Sequence, residues 1–349
     1  MSTISPRILA ILTLPYVSVG AQEIAKDLSL SGWVDSSFTA TTSDADGAAS
    51  TTDFAASSLL RVGWQAHERI SATIAISSNP DNDDVFELSE AYGTVTANEQ
   101  WSFSSGKSYG PFGYYAAEPT GLNTIQTALS VELYTINPTG VWATWTPTAE
   151  WTIMPVVAQQ FTEPDRNRAA SVSPGLDVAF APNETWVFNG EVFIDPSAGA
   201  LAAANDSRGD LWYASFNLQF SQEPWTAAAE IIYQLVENAG ADNTEDQGNL
   251  TWAAFVTYQL PETPFPMSVS AQVSQLVLAE TRDDLSVLTA NTVAKSTATL
   301  GQLALLTNPL ESTAFGLNFE AFIRTDDAGG TAEKVTAFGG AIEGLYVLE

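Results

Sequence analysis

Apolar and polar residues alternate along most of the chain after residue 27, and this period of two limits the possible folds more than any other feature. In residues 211–220, Trp212 and Phe216 fall on one side of the alternation, and Ser215 and Asn217 fall on the other. Successive side chains of a β-strand point to opposite faces of its sheet, so each such segment is predicted to be a strand with one apolar and one polar face. The same pattern recurs in residues 225–236, 250–260 and 315–324.

Short and long connections between these segments take turns along the chain. The short connections lie at 67–68, 98–99, 147–148, 182–183, 222–224, 261–265 and 308–311, and the long ones at 41–53, 79–84, 108–137, 162–172, 196–207, 237–248, 279–295 and 326–331. This order implies about sixteen antiparallel strands in an up-and-down meander, with both chain ends at the short-connection end. An even number of strands in this range is typical of a transmembrane β-barrel of the bacterial outer membrane.

The third long connection, residues 108–137, has about 30 residues without a strand pattern of its own, which is uncommon in a compact domain and usually functional. In a barrel it is expected to fold inward and narrow the pore. The residues expected at this constriction are Lys107, Tyr109, Tyr114, Tyr115, Glu118 and Glu132. Their aromatic rings would either pack the connection against the wall or bind sugar rings by stacking, as in a substrate-specific channel.

The chain has a formal net charge of −29, from 41 acidic and 12 basic residues. Nucleic acid is therefore disfavoured as a partner, because few basic side chains are present to neutralise phosphates. The acidic residues either solvate exposed loops or line a lumen that attracts cations, and the two explanations are compatible. The charged residues that alternation places on the lumen face are Asp35, Arg61, Glu191, Glu230, Glu320 and Arg324. Because acids outnumber bases, we expect a weak preference for cations.

A soluble β-sandwich also alternates, so the chemistry of the two faces must separate it from a porin. A sandwich packs its apolar face inward, whereas a porin turns its apolar face to lipid and its polar face to a watery lumen. Aromatic residues recur near the predicted strand ends, as expected of interfacial girdles. They are Trp33, Trp101, Trp151, Trp186, Trp225, Trp252 and Tyr258. The porin is therefore favoured, and a secreted, soluble β-rich binding protein or adhesin remains the alternative.

The first 21 residues have the pattern of a secretory signal peptide. A single Arg7 precedes an apolar run over residues 8–19, and small residues follow at the expected cleavage site after Ala21. The run is too short for a spanning helix. We therefore predict a signal peptide over 1–21 and one barrel domain over 22–349.

Little in the sequence suggests catalysis. The chain has no cysteine, and its single histidine, His67, lies at a predicted tight turn. No glycine-rich phosphate loop follows a strand, and the acidic run 81–84 lacks the spacing of a calcium loop. The prediction is a non-enzyme without a cofactor or a metal site, and loose binding of Ca²⁺ or Mg²⁺ by the acidic loops is left open.

Several short motifs in the first 150 residues or so resemble a known family. The segment 106–114 reads Gly-Lys-Ser-Tyr-Gly-Pro-Phe-Gly-Tyr, and the segments 31–35, 86–92 and 137–143 follow a matching order and spacing. Together they resemble the OmpL-like β-barrel porins. The resemblance implies a porin for passive diffusion of ions and small hydrophilic solutes, placed in outer-membrane lipid, and commonly assembled as a homotrimer.

Overall fold

The computed structural model describes most of the chain between residues 22 and 348. The described residues are 22–25, 27–44, 50–78, 86–108, 128–133, 138–159, 172–196, 210–237, 246–278, 296–308, 315–327 and 335–348. Almost all of them are in β-strands, and the remaining regular element is a short 3₁₀ helix, Leu129–Leu133. No helix within these ranges is long and apolar enough to cross a membrane.

The strands are numbered β1 to β17 in chain order. They are β1 (Gln22–Ala25), β2 (Leu28–Ser43), β3 (Thr51–His67), β4 (Ile70–Ser78), β5 (Glu87–Thr96), β6 (Trp101–Lys107), β7 (Thr139–Thr148), β8 (Trp151–Ala158), β9 (Ser173–Phe180), β10 (Trp186–Asp195), β11 (Leu211–Gln222), β12 (Trp225–Val236), β13 (Gln247–Gln259), β14 (Met267–Leu278), β15 (Ser296–Thr307), β16 (Phe315–Asp327) and β17 (Val335–Leu348).

Strands β2 to β17 form a closed antiparallel barrel of sixteen strands. Each strand pairs with the next one along the chain, and the last strand, β17, pairs with β2 over twelve residue pairs from Ala337↔Ser43 to Leu348↔Gly32. The short β1 pairs with the start of β2 and is not part of the closed circle. The predicted fold class and strand number are confirmed.

The two ends of the barrel differ in their connections, as the sequence predicts. Turns such as 68–69, 149–150 and 223–224 join consecutive strands tightly at one end, which we call the short-turn end. The start of β2 and the end of β17 lie at this same end. The long connections lie at the other end, the loop end, and most of their residues are outside the described ranges.

The two faces of the wall have opposite chemistry, and the apolar one points outward. In β12, Ile231 is exposed, whereas its neighbours Glu230 and Ile232 are buried. Large apolar side chains are exposed on the outer face of many strands, including Val34, Leu60, Ile74, Val95, Phe103, Val141, Val192, Phe216, Val256, Leu303, Phe319 and Ile342. An outer surface of this kind is unfavourable in water and favourable in lipid. The structure is also one closed barrel, rather than the two packed sheets of a sandwich.

A row of aromatic rings follows the outer face at the short-turn end. Trp101 stacks on Trp145 at 5.4 Å between ring centroids, and Trp225 contacts Tyr258 at 4.5 Å. Between these pairs, Trp151, Phe180, Phe188, Trp186 and Phe220 form a chain of ring contacts across β8 to β11. Amphipathic rings at this level suit a membrane–water interface.

Trp33 is an exception to the predicted girdle, because its ring lies inside the barrel. It is buried and packs with Leu59, Ala75 and Leu345. Trp33 and Asp35 are two residues apart on one strand, and both are buried, so they share the inner face. The prediction for this residue was wrong, because nearness to a strand end does not decide which face a side chain occupies.

Candidate functional site in the barrel interior

Polar side chains on the inner face form hydrogen-bonded ladders that run from strand to strand. On β14 to β16, Gln272 donates through Nε2 to Gln302 Oε1, and Gln302 Nε2 donates to Glu320 Oε1 at 3.2 Å. Nearby, Asn318 Nδ2 donates to Glu343 Oε2 at 2.6 Å. All five side chains are buried. Alternation in the sequence places these groups on one face, and pairing between strands joins them.

A second group of buried acids lies on β9, β10 and β12. Asp177 pairs directly across the strands with Glu191, whose Oε2 accepts a hydrogen bond from Ser215 Oγ at 2.6 Å. Glu230 lies on β12, opposite Asn217 of β11. Carboxylates that point into a barrel interior give it a negative potential, which favours cations over anions.

The basic residues singled out by the sequence are each engaged by an acidic neighbour. Arg61 Nε lies 2.6 Å from Glu90 Oε2, Lys107 Nζ lies 2.9 Å from Glu87 Oε1, and Arg324 Nε lies 3.0 Å from Asp326 Oδ2. The Arg61–Glu90 pair is largely buried, whereas both side chains of the Arg324 pair are 45% exposed. These pairs neutralise the bases locally.

The 3₁₀ helix Leu129–Leu133 belongs to the connection between β6 and β7, yet it contacts the wall on the opposite side of the barrel. Leu129 N donates a hydrogen bond to Ser274 Oγ of β14 at 3.1 Å, and both residues are buried. In a circle of sixteen strands, β14 is eight strands from β6 in either direction. This part of the connection therefore lies against the inner wall opposite β6.

An apolar patch on the inner wall receives the helix. Leu129 and Leu133 belong to one buried cluster with side chains from several strands. The wall members of the cluster are Met154, Val156, Ala158, Phe193, Leu211, Tyr213, Ile232, Leu276, Leu278, Leu300 and Phe322. The rings of Phe193 and Tyr213 stack there with centroids 4.4 Å apart. The patch fixes the helix by burying apolar surface inside the lumen.

The predicted site residues divide into three groups. Asp35, Glu191, Glu230 and Glu320 are buried on the inner face, and Arg61 is mostly buried. Lys107 lies at the end of β6, and Arg324 lies on an inward position of β16 near the loop end. Tyr109, Tyr114, Tyr115 and Glu118 lie outside the described residues, and of Glu132 only the backbone position in the 3₁₀ helix is described.

Sequence reasoning missed four inward acids, Glu90, Asp177, Asp195 and Glu343. Glu343 lies in a strand with glycines at 339, 340 and 344, which blur the alternation. Ala341 and Glu343 are both buried, while Ile342 between them is exposed. Alternation with a period of two around Ile342 is therefore the sequence signal that could have identified Glu343 as an inward acid.

The described residues show no arrangement of three or more His, Cys, Asp or Glu side chains that could hold a metal ion. His67 is exposed at the β3–β4 turn, where its Nδ1 accepts a hydrogen bond from Arg69 N at 3.3 Å. This contact orients a turn.

Several solved structures with the same fold are bacterial outer-membrane proteins and porins. An anion-selective porin from Comamonas acidovorans superposes with a TM-score of 0.61 at 10% identity, over 92% of this chain and 99% of its own. Pseudomonas putida OprB gives a TM-score of 0.60 at 8% identity, over 93% of this chain and 94% of its own. OmpT of Vibrio cholerae gives 0.59 at 10% identity, over 94% of this chain and 100% of its own.

No protein-family model matches the chain, and no curated protein matches it either. The motif resemblance to OmpL-like porins therefore stays a prediction at the level of that family. The likeness to the solved structures establishes the porin fold.

Proposed function

We propose that this chain is a porin of the bacterial outer membrane, a water-filled channel for passive diffusion of ions and small hydrophilic solutes. The observation that carries the proposal is the inversion of the two faces. Exposed Ile231 and Val256 are on the outer face, and buried Glu230 and Asn217 are on the inner one. Residues 1–21 act as the export signal, and the short-turn end faces the periplasm. The channel works without a cofactor and catalyses no reaction.

Conductance of the purified mature chain in a planar lipid bilayer tests this function. Stepwise, ohmic openings are the expected result. Deleting part of residues 113–130 should then enlarge each step, because this connection is proposed to narrow the pore. A folded, β-rich sample that stays soluble without detergent and gives no conductance would contradict the proposal and favour a secreted binding protein.

The channel has a weak preference for cations. Arg61, Lys107 and Arg324 are each engaged by a neighbouring carboxylate. In contrast, the described hydrogen-bond partners of Asp35 and Asp177 are neutral or acidic side chains and backbone. Fixed charges of one sign focus the field where the pore is narrow, so the excess of acid favours cations. Reversal potentials in a salt gradient should show cation preference that falls in the double variant D35N/D177N; preference for anions in the unaltered channel would contradict it.

The barrel assembles as a homotrimer through the outer face of β2 to β4. This face has a groove of about 520 Å³, lined by Val34, Leu60, Ile76 and Phe86 among others. All four side chains are exposed and apolar, and a contiguous apolar patch of this kind favours contact with protein or lipid. Leu60→Arg should reduce the mass of the detergent-solubilised species to that of one chain, whereas Leu176→Arg on β9 should not. A monomeric unaltered chain would contradict the trimer while leaving the channel function untouched.

The substrate-specific sugar channel stays a hypothesis of the sequence. It rests on Tyr114 and Tyr115, which lie outside the described residues. Saturable block of the current by sugars, lost in the variant Y114A/Y115A, would favour the specific channel over general diffusion.

A further inference from the structure

Beyond general diffusion, we propose that Asp35 and Glu343 form a binding site for a hard divalent cation, Ca²⁺ or Mg²⁺, on the inner wall of the barrel. The two residues lie on β2 and β17, the strands whose pairing closes the circle. A cation here would link the first and last strands of the barrel.

The two carboxyl groups contact each other across the closure. In the register of β2 and β17, Asp35 pairs with Leu345 and Glu343 pairs with Ser37, so the two acids are diagonal neighbours on the inner face. Diagonal positions of adjacent strands are within reach of long side chains. The side chains of Asp35 and Glu343 are within hydrogen-bonding contact of each other.

No positive charge among the described residues compensates this pair. Asp35 accepts a hydrogen bond from Ser57 of β3, and Glu343 accepts one from Asn318 Nδ2 of β16. The further charged group that acts on Glu343 is another acid, Glu320. Two carboxylates in contact cannot both stay ionised in a poorly hydrated site unless a cation or a proton offsets their repulsion.

A free oxygen in the same site points to a ligand. Asp35 is 9% exposed, and its Oδ1 has no hydrogen-bond partner among the residues that the structure describes. An unpaired buried acceptor costs free energy, so native structures usually satisfy it with protein, water or an ion. An ion held between the two carboxylates takes this oxygen as a ligand and removes their repulsion at the same time.

The chemistry of the donors favours a hard divalent ion. Carboxylate oxygens are the ligands that Ca²⁺ and Mg²⁺ prefer, and two formal negative charges balance one such ion. Two carboxylates are fewer ligands than a closed metal site supplies, so the ion keeps several water molecules. Affinity of the order of millimolar is expected, as in weak extracellular calcium sites.

Thermal unfolding tests the site without any measurement of channel current. The mature chain is refolded in detergent free of lipopolysaccharide, and its Tm is measured in EDTA and in about 20 mM CaCl₂, well above a millimolar dissociation constant. NaCl of equal ionic strength is the screening control. Ca²⁺ should raise the Tm of the unaltered chain by about 2 °C or more, because a ligand that binds only the folded state stabilises it.

Glu343→Gln supplies a crossed comparison. The glutamine amide can donate a hydrogen bond to Asp35, so E343Q in EDTA should melt above the unaltered chain, and Ca²⁺ should raise its Tm little. Asp35→Asn should behave in the same way as E343Q. It serves as the second variant if E343Q fails to fold. Glu230→Gln replaces another buried acid of the interior and should keep the full response to Ca²⁺.

Four results would overturn the site. Equal Ca²⁺ responses in the unaltered chain, E343Q and D35N would place the binding elsewhere. An equal rise of the Tm in NaCl would show that the effect of Ca²⁺ is only charge screening. A Tm that depends on pH and not on Ca²⁺ would show that a shared proton neutralises the pair. A channel that conducts but shows no Ca²⁺ response would reject the site and leave the porin function standing.

Discussion

Gly106 of β6 pairs directly with Gly140 of β7, at the point where the third long connection leaves the barrel wall. Neither position has room for a side chain. A Cβ on Gly106 would lie 2.1 Å from Ala91 O, and a Cβ on Gly140 would lie 2.4 Å from Val157 O. The two glycines therefore let β5 and β8 approach closely on both sides of the root of this connection.

Gly106→Ala should destabilise the barrel by about 1–3 kcal/mol, because Gly106 has a φ of +139° that residues with a side chain rarely adopt. Gly190→Ala on β10 is the matched control, since the nearest atom to its added Cβ is 4.0 Å away. Urea unfolding of both variants in detergent, followed by tryptophan fluorescence, measures the difference. Equal stability of the two variants would contradict this role of Gly106.

Ser274→Ala should loosen the 3₁₀ helix that packs against the inner wall. It removes the acceptor for Leu129 N, and a buried donor left unpaired costs about 1–3 kcal/mol. The expected result is a larger or noisier single-channel current. Ser270→Ala is the control, because Ser270 lies on the same face of β14 and pairs with Thr257 instead. A change of the current of the same size in S274A and S270A would show that the current does not depend on the hydrogen bond between Leu129 and Ser274.

Arg61→Ala should cost more stability than Arg324→Ala. Removal of Arg61 leaves Glu90 buried without its ion-pair partner, for which about 3 kcal/mol is expected, reduced to the extent that water reaches the site. The exposed Arg324–Asp326 pair is of the kind that contributes about 0–1 kcal/mol. Urea midpoints in detergent compare the two variants. A greater loss of stability in R324A than in R61A would mean that burial does not determine how much each ion pair contributes to stability.

The sequence was sufficient for the wall of the barrel but not for what lies against it. Strand number and face assignment depend on a period of two and on turn residues, which are local properties. The apolar patch that holds Leu129 includes Ile232 and Leu276, which occupy positions on the polar face. Only the path of a distant connection explains apolar residues there, and alternation carries no information about that path.

The acids of the barrel interior could likewise be predicted only in part from the sequence. Asp35 and Glu320 could be predicted as inward acids from parity alone, and both are buried on the inner face. Their grouping with Glu343 could not be predicted, because it depends on how β17 aligns with β2 across the closure. A shift of that register by one residue would place Glu343 on the other face of the wall.

Ile231 and Ile232 are neighbours on β12 that should respond in opposite ways to substitution, because one faces outward and the other is fully buried inside. Ile231→Arg should cost about 2–4 kcal/mol in lipid and reduce insertion, since a charge on the lipid face is costly near the bilayer centre. Ile231→Ala should cost little there, because lipid fills the space that the side chain leaves. Ile232→Ala should cost about 2–5 kcal/mol, because it leaves a cavity in the cluster that holds the 3₁₀ helix. Unfolding in lipid vesicles measures all three variants. A large loss in I231A together with a small loss in I232A would reverse the two faces and contradict a barrel with lipid outside.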